Sequence, residues 1–208
     1  GDGIKFLSCL RLSDFIPERP AIAEYTTNKS MGADCDIMAA RFGIPRAEQD
    51  FYAMRSHQMA AKAQKKGFLT REMISVKFPP KFKDIKNDNG VRTDSKIDKL
   101  ARLQPAFDKK FGTLTAANSS FLTDGASALL LMSEKKAKYL GLIAKAEIID
   151  FTFTGQRLED ELILGPAYAV YKLLNRHKMT FKDIDVIEFH EAFAGQILSN
   201  LKALASDD

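Results

Sequence analysis

A histidine and a glutamate stand side by side in the run Phe189-His-Glu-Ala-Phe-Ala-Gly-Gln196. A short apolar stretch (Val186, Ile187, Phe189) leads into them, and Phe193, Ile197, Leu198, Leu201 and Leu204 follow at helical spacing. The imidazole of His190 therefore falls where a strand gives way to a helix. In open α/β sheets the carboxyl ends of strands and the amino ends of helices face the ligand crevice, so a proton-carrying group at that corner is a site candidate. A second segment, Thr115 to Glu134 (TAANSSFLTDGASALLLMSE), has the same form: a polar, glycine-containing loop feeding an apolar strand.

The elements around these two loops follow from patterning. A helix is expected from Ala33 to Phe42, ending at Gly43. A better marked one opens at Pro45, with Glu48 and Asp50 near its amino end and Lys62, Lys65 and Lys66 before Gly67. Ala47, Phe51, Met54 and Gln58 fall on one stripe of it, and His57, inside it, carries no expected role. Residues Phe78 to Asn89 (FPPKFKDIKNDN) read as a loop. Ala126 to Met132 reads as a buried strand, Ser133 as the cap of a helix ending at Gly141, and Ala146 to Phe153 as another strand. Pro166 opens a helix striped by Ala167, Val170, Tyr171 and Leu174, with His177 at its exposed end. Strand and helix thus alternate after Thr115, as in a largely parallel α/β sheet, whereas the first 110 residues are helix- and loop-rich and read as a separate lobe.

Composition narrows the classes. A chain of 208 residues with 45% hydrophobic residues can build a core. No apolar run reaches the length of a membrane span and no signal peptide opens the chain; its start, Gly-Asp-Gly, lacks a methionine, so part of a longer protein is expected. The net charge of +4 is uneven: Arg55 to Lys110 holds fifteen Lys and Arg against six Asp and Glu, the remainder sixteen against twenty-one. A basic segment of this kind attracts phosphate-rich ligands, anionic lipid or acidic partners, but no nucleic-acid-binding motif accompanies it. Gly1 to Phe15 mixes apolar and basic residues, as in a helix lying on a membrane or a partner, or a packing segment of a larger protein. The two cysteines, Cys9 and Cys35, have no metal-ligand partner at useful spacing and read as small buried residues in a reducing compartment.

The two loops together resemble the thiolase family, in which His or Asn followed by Glu-Ala-Phe forms one catalytic loop and an Asn-x-Ser loop touches coenzyme A. HEAF in place of NEAF is similar to the branch containing the β subunits of trifunctional enzymes of fatty-acid β-oxidation. The resemblance extends along the chain through Met31-Gly32, Asp88, Arg92 and Leu100 to Phe107 (LARLQPAF). It implies an α/β class: a thiolase-like fold fragment, with a helix- and loop-rich lobe followed by alternating strands and helices of a mixed, mostly parallel sheet. Residues 1–114 would be the loop domain, 115–145 the end of the amino-terminal half and 146–208 the start of the carboxyl-terminal half.

The same resemblance implies roles. His190 would be catalytic, as a donor to an enolate oxygen. Arg92 would contact the phosphate-bearing end of coenzyme A, Met31 and Ser120 its pantetheine arm or adenine, and Ala192 and Phe193 would line the pantetheine tunnel. Glu191 would orient the loop rather than exchange protons. Coenzyme A would be a substrate, with no permanently bound cofactor and no metal. Acyl-coenzyme A, a second copy and a hydratase/dehydrogenase α subunit would be partners of a mitochondrial (or peroxisomal) enzyme, with peripheral membrane contact as a further expectation.

Departures from the family pattern set limits. Ser30 stands where many relatives have histidine, and Phe121 where glycine often follows the loop serine. The nucleophilic cysteine in its small-residue motif, the Gly-His-Pro loop and the second cysteine in its Gly-rich loop are absent, and Cys9 and Cys35 match neither cysteine motif. The chain therefore resembles the middle of a thiolase, inactive on its own. A short-chain acetoacetyl-coenzyme A thiolase and a non-catalytic partner- or membrane-binding module are the alternatives.

Overall fold

Helix α6 (Ala194–Leu204), which follows the histidine loop, is the element that three other helices pack against. The computed structural model describes residues 23–206. The amphipathic expectation for Gly1 to Phe15, and Cys9, lie outside them.

Helix α1 (Met31–Arg41) starts because the Ser30 hydroxyl accepts the Ala33 amide at 3.3 Å, and it ends at Gly43, whose φ of 62° is open to glycine. Helix α2 (Arg46–Lys65) follows at once from Pro45, with lysines at its carboxyl end as the macrodipole favours. Both pack on α6, and α5 (Gly165–His177) packs on it as well. The close approach is made at Gly195: a Cβ there would sit 3.1 Å from Gln49 Oε1 and 3.3 Å from Ala39 Cβ. Two small apolar clusters fill the junctions. Cys35, Leu114 and Phe193 form one, and Met38, Leu164 and Ala167 form the other, with Ile163 touching both. Ile197 of α6 is 2% exposed. As expected, Cys35 is a buried packing residue, and burial pushes its thiol pKa up.

The stripe read along α2 is not its buried side. Phe51 is 58% exposed, while Gln49, Asp50 and Ala53 are buried. The reason is what α2 covers: loop backbone with amides and carbonyls to satisfy, which demands polar side chains at the contact.

Two further expectations are corrected. Within the stretch read as a loop, β1 (Val76–Phe78) and β2 (Lys83–Ile85) form an antiparallel hairpin pairing Val76 with Ile85 and Phe78 with Lys83. Its prolines occupy the turn, where no ladder donor is needed. Conversely, 126–132, 146–153 and 186–189 form no ladder among the described residues. Their apolar side chains face outward, with Leu129 88%, Ile149 81% and Val186 81% exposed. An apolar segment becomes a strand only where a neighbour supplies its hydrogen bonds, and none of the described residues does so for these three.

The helices between them do form. Ser133 caps α4 (Glu134–Tyr139), which follows the short α3 (Ile97–Leu100), and Gly141 (φ 66°) follows its end. His177 closes α5, where it and Arg176 bind Asp150 at 2.8 and 2.6 Å, holding that carboxyl down at about 2. No helix among the described residues is long and apolar enough to cross a membrane.

Among the described residues one buried carboxyl, Asp34, has no hydrogen-bond partner. Asp34, in the first turn of α1, is 3% exposed and neither carboxylate oxygen is hydrogen-bonded. Burial raises its pKa above the ordinary 3.8. A raised carboxyl pKa means full stability below the unfolded value and a loss as pH rises through the folded one. Asp34→Asn removes that penalty. It is expected to stabilise the fold by roughly 1–3 kcal/mol at pH 7 and by far less near pH 3, read from denaturant midpoints at the two pH values.

Candidate functional site

The serine loop and the histidine loop lie side by side. Ser119 and Phe193 form an antiparallel bridge, the Ser120 amide donates to the Ala192 carbonyl at 2.7 Å, and the Ala194 amide donates to the Asn118 carbonyl at 2.9 Å. Segments more than seventy residues apart in sequence are thereby joined at the amino end of α6.

What seats the serine loop is a buried polar chain. The Asn118 side chain accepts the Thr115 amide at 2.7 Å through its oxygen; its nitrogen donates to Thr113 O at 3.2 Å and to Asp50 Oδ1 at 3.0 Å. Asp50 in turn accepts from Arg46 Nε at 2.7 Å, and Arg46 reaches the Leu100 and Leu103 carbonyls at 2.6 and 3.2 Å. The approach to the loop is held from both α1 and α2. Asp36 Oδ1 accepts the Thr113 and Leu114 amides at 2.7 and 3.0 Å, and Gln49 donates to Thr113 Oγ1 at 2.9 Å. These buried partners make the loop's backbone a fixed surface rather than a free coil.

A cavity of about 190 Å³ opens between the loops and α2, lined by Tyr52, Ala53, Ser56, His57, Ala117, Asn118, Ser119, Ser120, Phe121, Glu191 and Ala194. Glu191 is bound through both oxygens, accepting from Tyr52 Oη at 2.5 Å and Ser56 Oγ at 2.7 Å. Burial, and then the carboxylate of Glu191 beside it, push the Tyr52 phenol up, so it remains a donor. His57 Nδ1 accepts the Arg92 amide at 3.3 Å, which places the ring proton on Nε2. Burial and then the Arg92 charge lower the His57 pKa, favouring this neutral acceptor form. The Phe121 ring lies over Gly90, where a Cβ would overlap it, so the serine loop also touches the segment that leads to Arg92.

The expected site residues divide between these surroundings. Ser120 lines the cavity and Ala192 is bonded to its amide; Arg92 is exposed at the end of the segment that His57 and Phe121 touch. Phe193 puts its backbone in the bridge and its ring in the core, edge-on to Phe107 at 5.8 Å. His190 is exposed, one residue from the cavity wall formed by Glu191, and is not itself a lining residue. Met31 is 47% exposed at the start of α1 and does not line the cavity either. Its neighbour Gly32 is needed where it stands, since a Cβ there would overlap the Phe107 ring.

Tyr52 and Ser56 are not singled out by sequence, and His57 is given no role there. Their one signal is the polar i, i+4 pair Tyr52 and Ser56 inside a helix whose apolar stripe runs elsewhere. No group of three or more potential metal ligands occurs among the described residues.

Comparison with known proteins bears on the family of the chain. The family model described as thiolase, N-terminal domain, matches residues 10–135, and that described as thiolase, C-terminal domain, matches 142–208. The chain is 50% identical over 207 residues to the mitochondrial trifunctional enzyme subunit beta of Mus musculus, covering 100% of this chain and 43% of the relative. It is 46% identical over 204 residues to a 3-ketoacyl-CoA thiolase of Yersinia enterocolitica, covering 98% of this chain and 47% of that one. Among solved structures it is similar to the acetyl-CoA acetyltransferase of Bacillus anthracis, with a TM-score of 0.84 at 35% identity over 89% of this chain and 47% of the other. That neighbour supports the α/β class read from the alternating pattern. The chain thus spans less than half the length of the curated relatives it matches.

The seating of the serine loop is open to direct measurement. Asn118→Ala leaves Asp50 Oδ1 and the Thr115 amide without their partner and is expected to cost roughly 2–4 kcal/mol in denaturant unfolding. Ser120→Ala removes only a 3.4 Å contact to Phe121 O and should cost under about 0.5 kcal/mol.

Proposed function

The chain belongs to the thiolase family, and from that premise we propose that the whole protein is a 3-ketoacyl-coenzyme A thiolase of fatty-acid β-oxidation. The observation that carries the reading is the Ser119–Phe193 bridge with its two flanking amide bonds, which sets the Asn-x-Ser loop against the His-Glu-Ala-Phe turn beside a cavity. The names of the relatives, trifunctional enzyme subunit beta and 3-ketoacyl-CoA thiolase, support it from outside.

In that reaction a cysteine thiolate adds to the 3-keto carbon and the bond between carbons 2 and 3 breaks. Acetyl-coenzyme A departs as an enolate that takes up a proton, and the thiol of a second coenzyme A then removes the acyl group from the cysteine. Cys35 does not suit the first step: it is fully buried and its thiol is held protonated. Cys9 matches neither cysteine motif of the family, so the proposal assigns the nucleophile to a segment outside these 208 residues.

What this chain contributes is the reception of coenzyme A and of the enolate charge. His190 is exposed beside the cavity and free to donate to the enolate oxygen, directly or by holding a water. The nearby amino end of α6 adds a favourable dipole. Ser120, Ala192 and the backbone of Phe193 are assigned to the pantetheine arm, Arg92 to the phosphates, and Met31 to the outer part of the carrier. By the same reading residues 1–114 form the loop domain, 115–145 close the amino-terminal half and 146–208 open the carboxyl-terminal half.

The mitochondrial relatives suggest the compartment, and the name of the β subunit an α-subunit partner; a homodimer and contact with the inner membrane are further parts of the proposal. The likeness to acetyl-CoA acetyltransferases keeps a short-chain thiolase as the second reading, separated from the first by activity against acyl chain length.

The test is thiolysis by the full-length protein. His190→Ala is expected to lower kcat by about 10²–10³-fold, as loss of an oxyanion donor does. Wild-type protein that cleaves no 3-ketoacyl-coenzyme A, or a variant that keeps its kcat, contradicts the assignment.

A further inference from the structure

One turn of α2 touches the site at two separate points. Tyr52 and Ser56, four residues apart and hence on one face of the helix, donate to the two oxygens of Glu191 at 2.5 and 2.7 Å. His57, on the next position, accepts the Arg92 amide at 3.3 Å. Glu191 lies immediately after His190 in the chain, and the carbonyl of the following Ala192 accepts the Ser120 amide at 2.7 Å. The histidine turn is thus pinned through a side chain to α2 and through its backbone to the serine loop.

We propose that this turn of α2 is a positioning device, in which Tyr52 and Ser56 seat Glu191 so that His190 is held for catalysis, while His57 seats the segment carrying Arg92 for coenzyme A. The proposal rests on the thiolase reading above and adds to it the residues that set the distance between the two ends of the site. Neither hydroxyl would touch substrate. They act through Glu191, whose two oxygens are both occupied as acceptors, which suits an orienting group and not a proton carrier.

The physical case is one of precision. Among the described residues His190 makes no hydrogen bond of its own to protein, so its placement depends on the residue beside it. A misplacement of about 1 Å at a reacting centre can cost roughly 10²-fold in rate. Removing the clamp should therefore act on turnover. Removing the His57 acceptor should act on the affinity for coenzyme A, because its hydrogen bond holds the Arg92 segment.

The experiment uses the full-length protein. Tyr52→Phe/Ser56→Ala is expected to lower kcat for thiolysis at least tenfold with the KM for coenzyme A changed less than twofold, and Ser56→Thr, which keeps a hydroxyl, to retain most of the turnover. His57→Ala is expected to raise that KM at least threefold and to affect kcat less than KM. A double variant with kcat within twofold of wild type, or two sets of variants that move kcat and KM together, overturns the device. Where the double variant does not fold, Tyr52→Phe alone carries the comparison, with an expected loss of at least threefold.

If the wild-type protein has no thiolysis activity, the functional reading fails and the clamp is decided by backbone order. The amides of Glu191 and Ala192 should then have order parameters of about 0.85 in wild type and below about 0.6 in the clamp variant. Unchanged order in the variant overturns the clamp.

Discussion

The contact on which the site depends is the buried bond from Asn118 to Asp50. Asp50 is almost fully enclosed, and an enclosed carboxylate is tolerated only with a cation and donors around it; Arg46 supplies the one and Asn118 the other. The bond joins α2 to the serine loop, and the loop in turn presents its backbone to the 190–194 turn. Remove it and three elements lose their common reference: α2, the serine loop and the amino end of α6. The apolar clusters beside it are small, three buried residues each, and non-directional, so they hold the helices together without specifying where a loop amide must point.

This explains why a helix with an apolar stripe turns a polar side inward. A loop with irregular backbone has no ladder or helix bonds to meet its amides and carbonyls, so side chains must meet them. Asp36 does this for the Thr113 and Leu114 amides, Gln49 for the Ile44 carbonyl, and Asn200 of α6 for the Ile163 carbonyl and the Ala167 amide. Buried Asp, Asn and Gln are here a consequence of irregular backbone in the interior.

The helices were legible because their ends are marked by local chemistry: Ser30 and Ser133 as caps, Gly43 and Gly141 at left-handed positions, lysines in the last turns. The pairing of the two polar loops was legible only as a resemblance between motifs, and the bridge between them is a long-range event that no local pattern encodes. Tyr52 and Ser56 escaped notice, and His57 was given no role, because a polar residue on a helix ordinarily faces water. The hairpin at 76–85 was hidden by its two prolines, which sit in the turn and leave the short ladders intact. The segments 126–132, 146–153 and 186–189 have strand composition but no ladder, and their composition is sound; what they lack among the described residues is a neighbour. In a chain spanning less than half of its relatives' length, that is where the physics of strands stops being local.

Native-state hydrogen exchange at the Ser120 and Ala194 amides measures the central claim most directly, because these are the two bonds that join the loops. If the buried Asn118–Asp50–Arg46 chain seats the serine loop, both amides will exchange as slowly as Ile197 in the middle of the α6 contact, opening only with the fold itself. If they exchange as fast as the unladdered amides of 126–132, the two loops are not held together and the account is wrong.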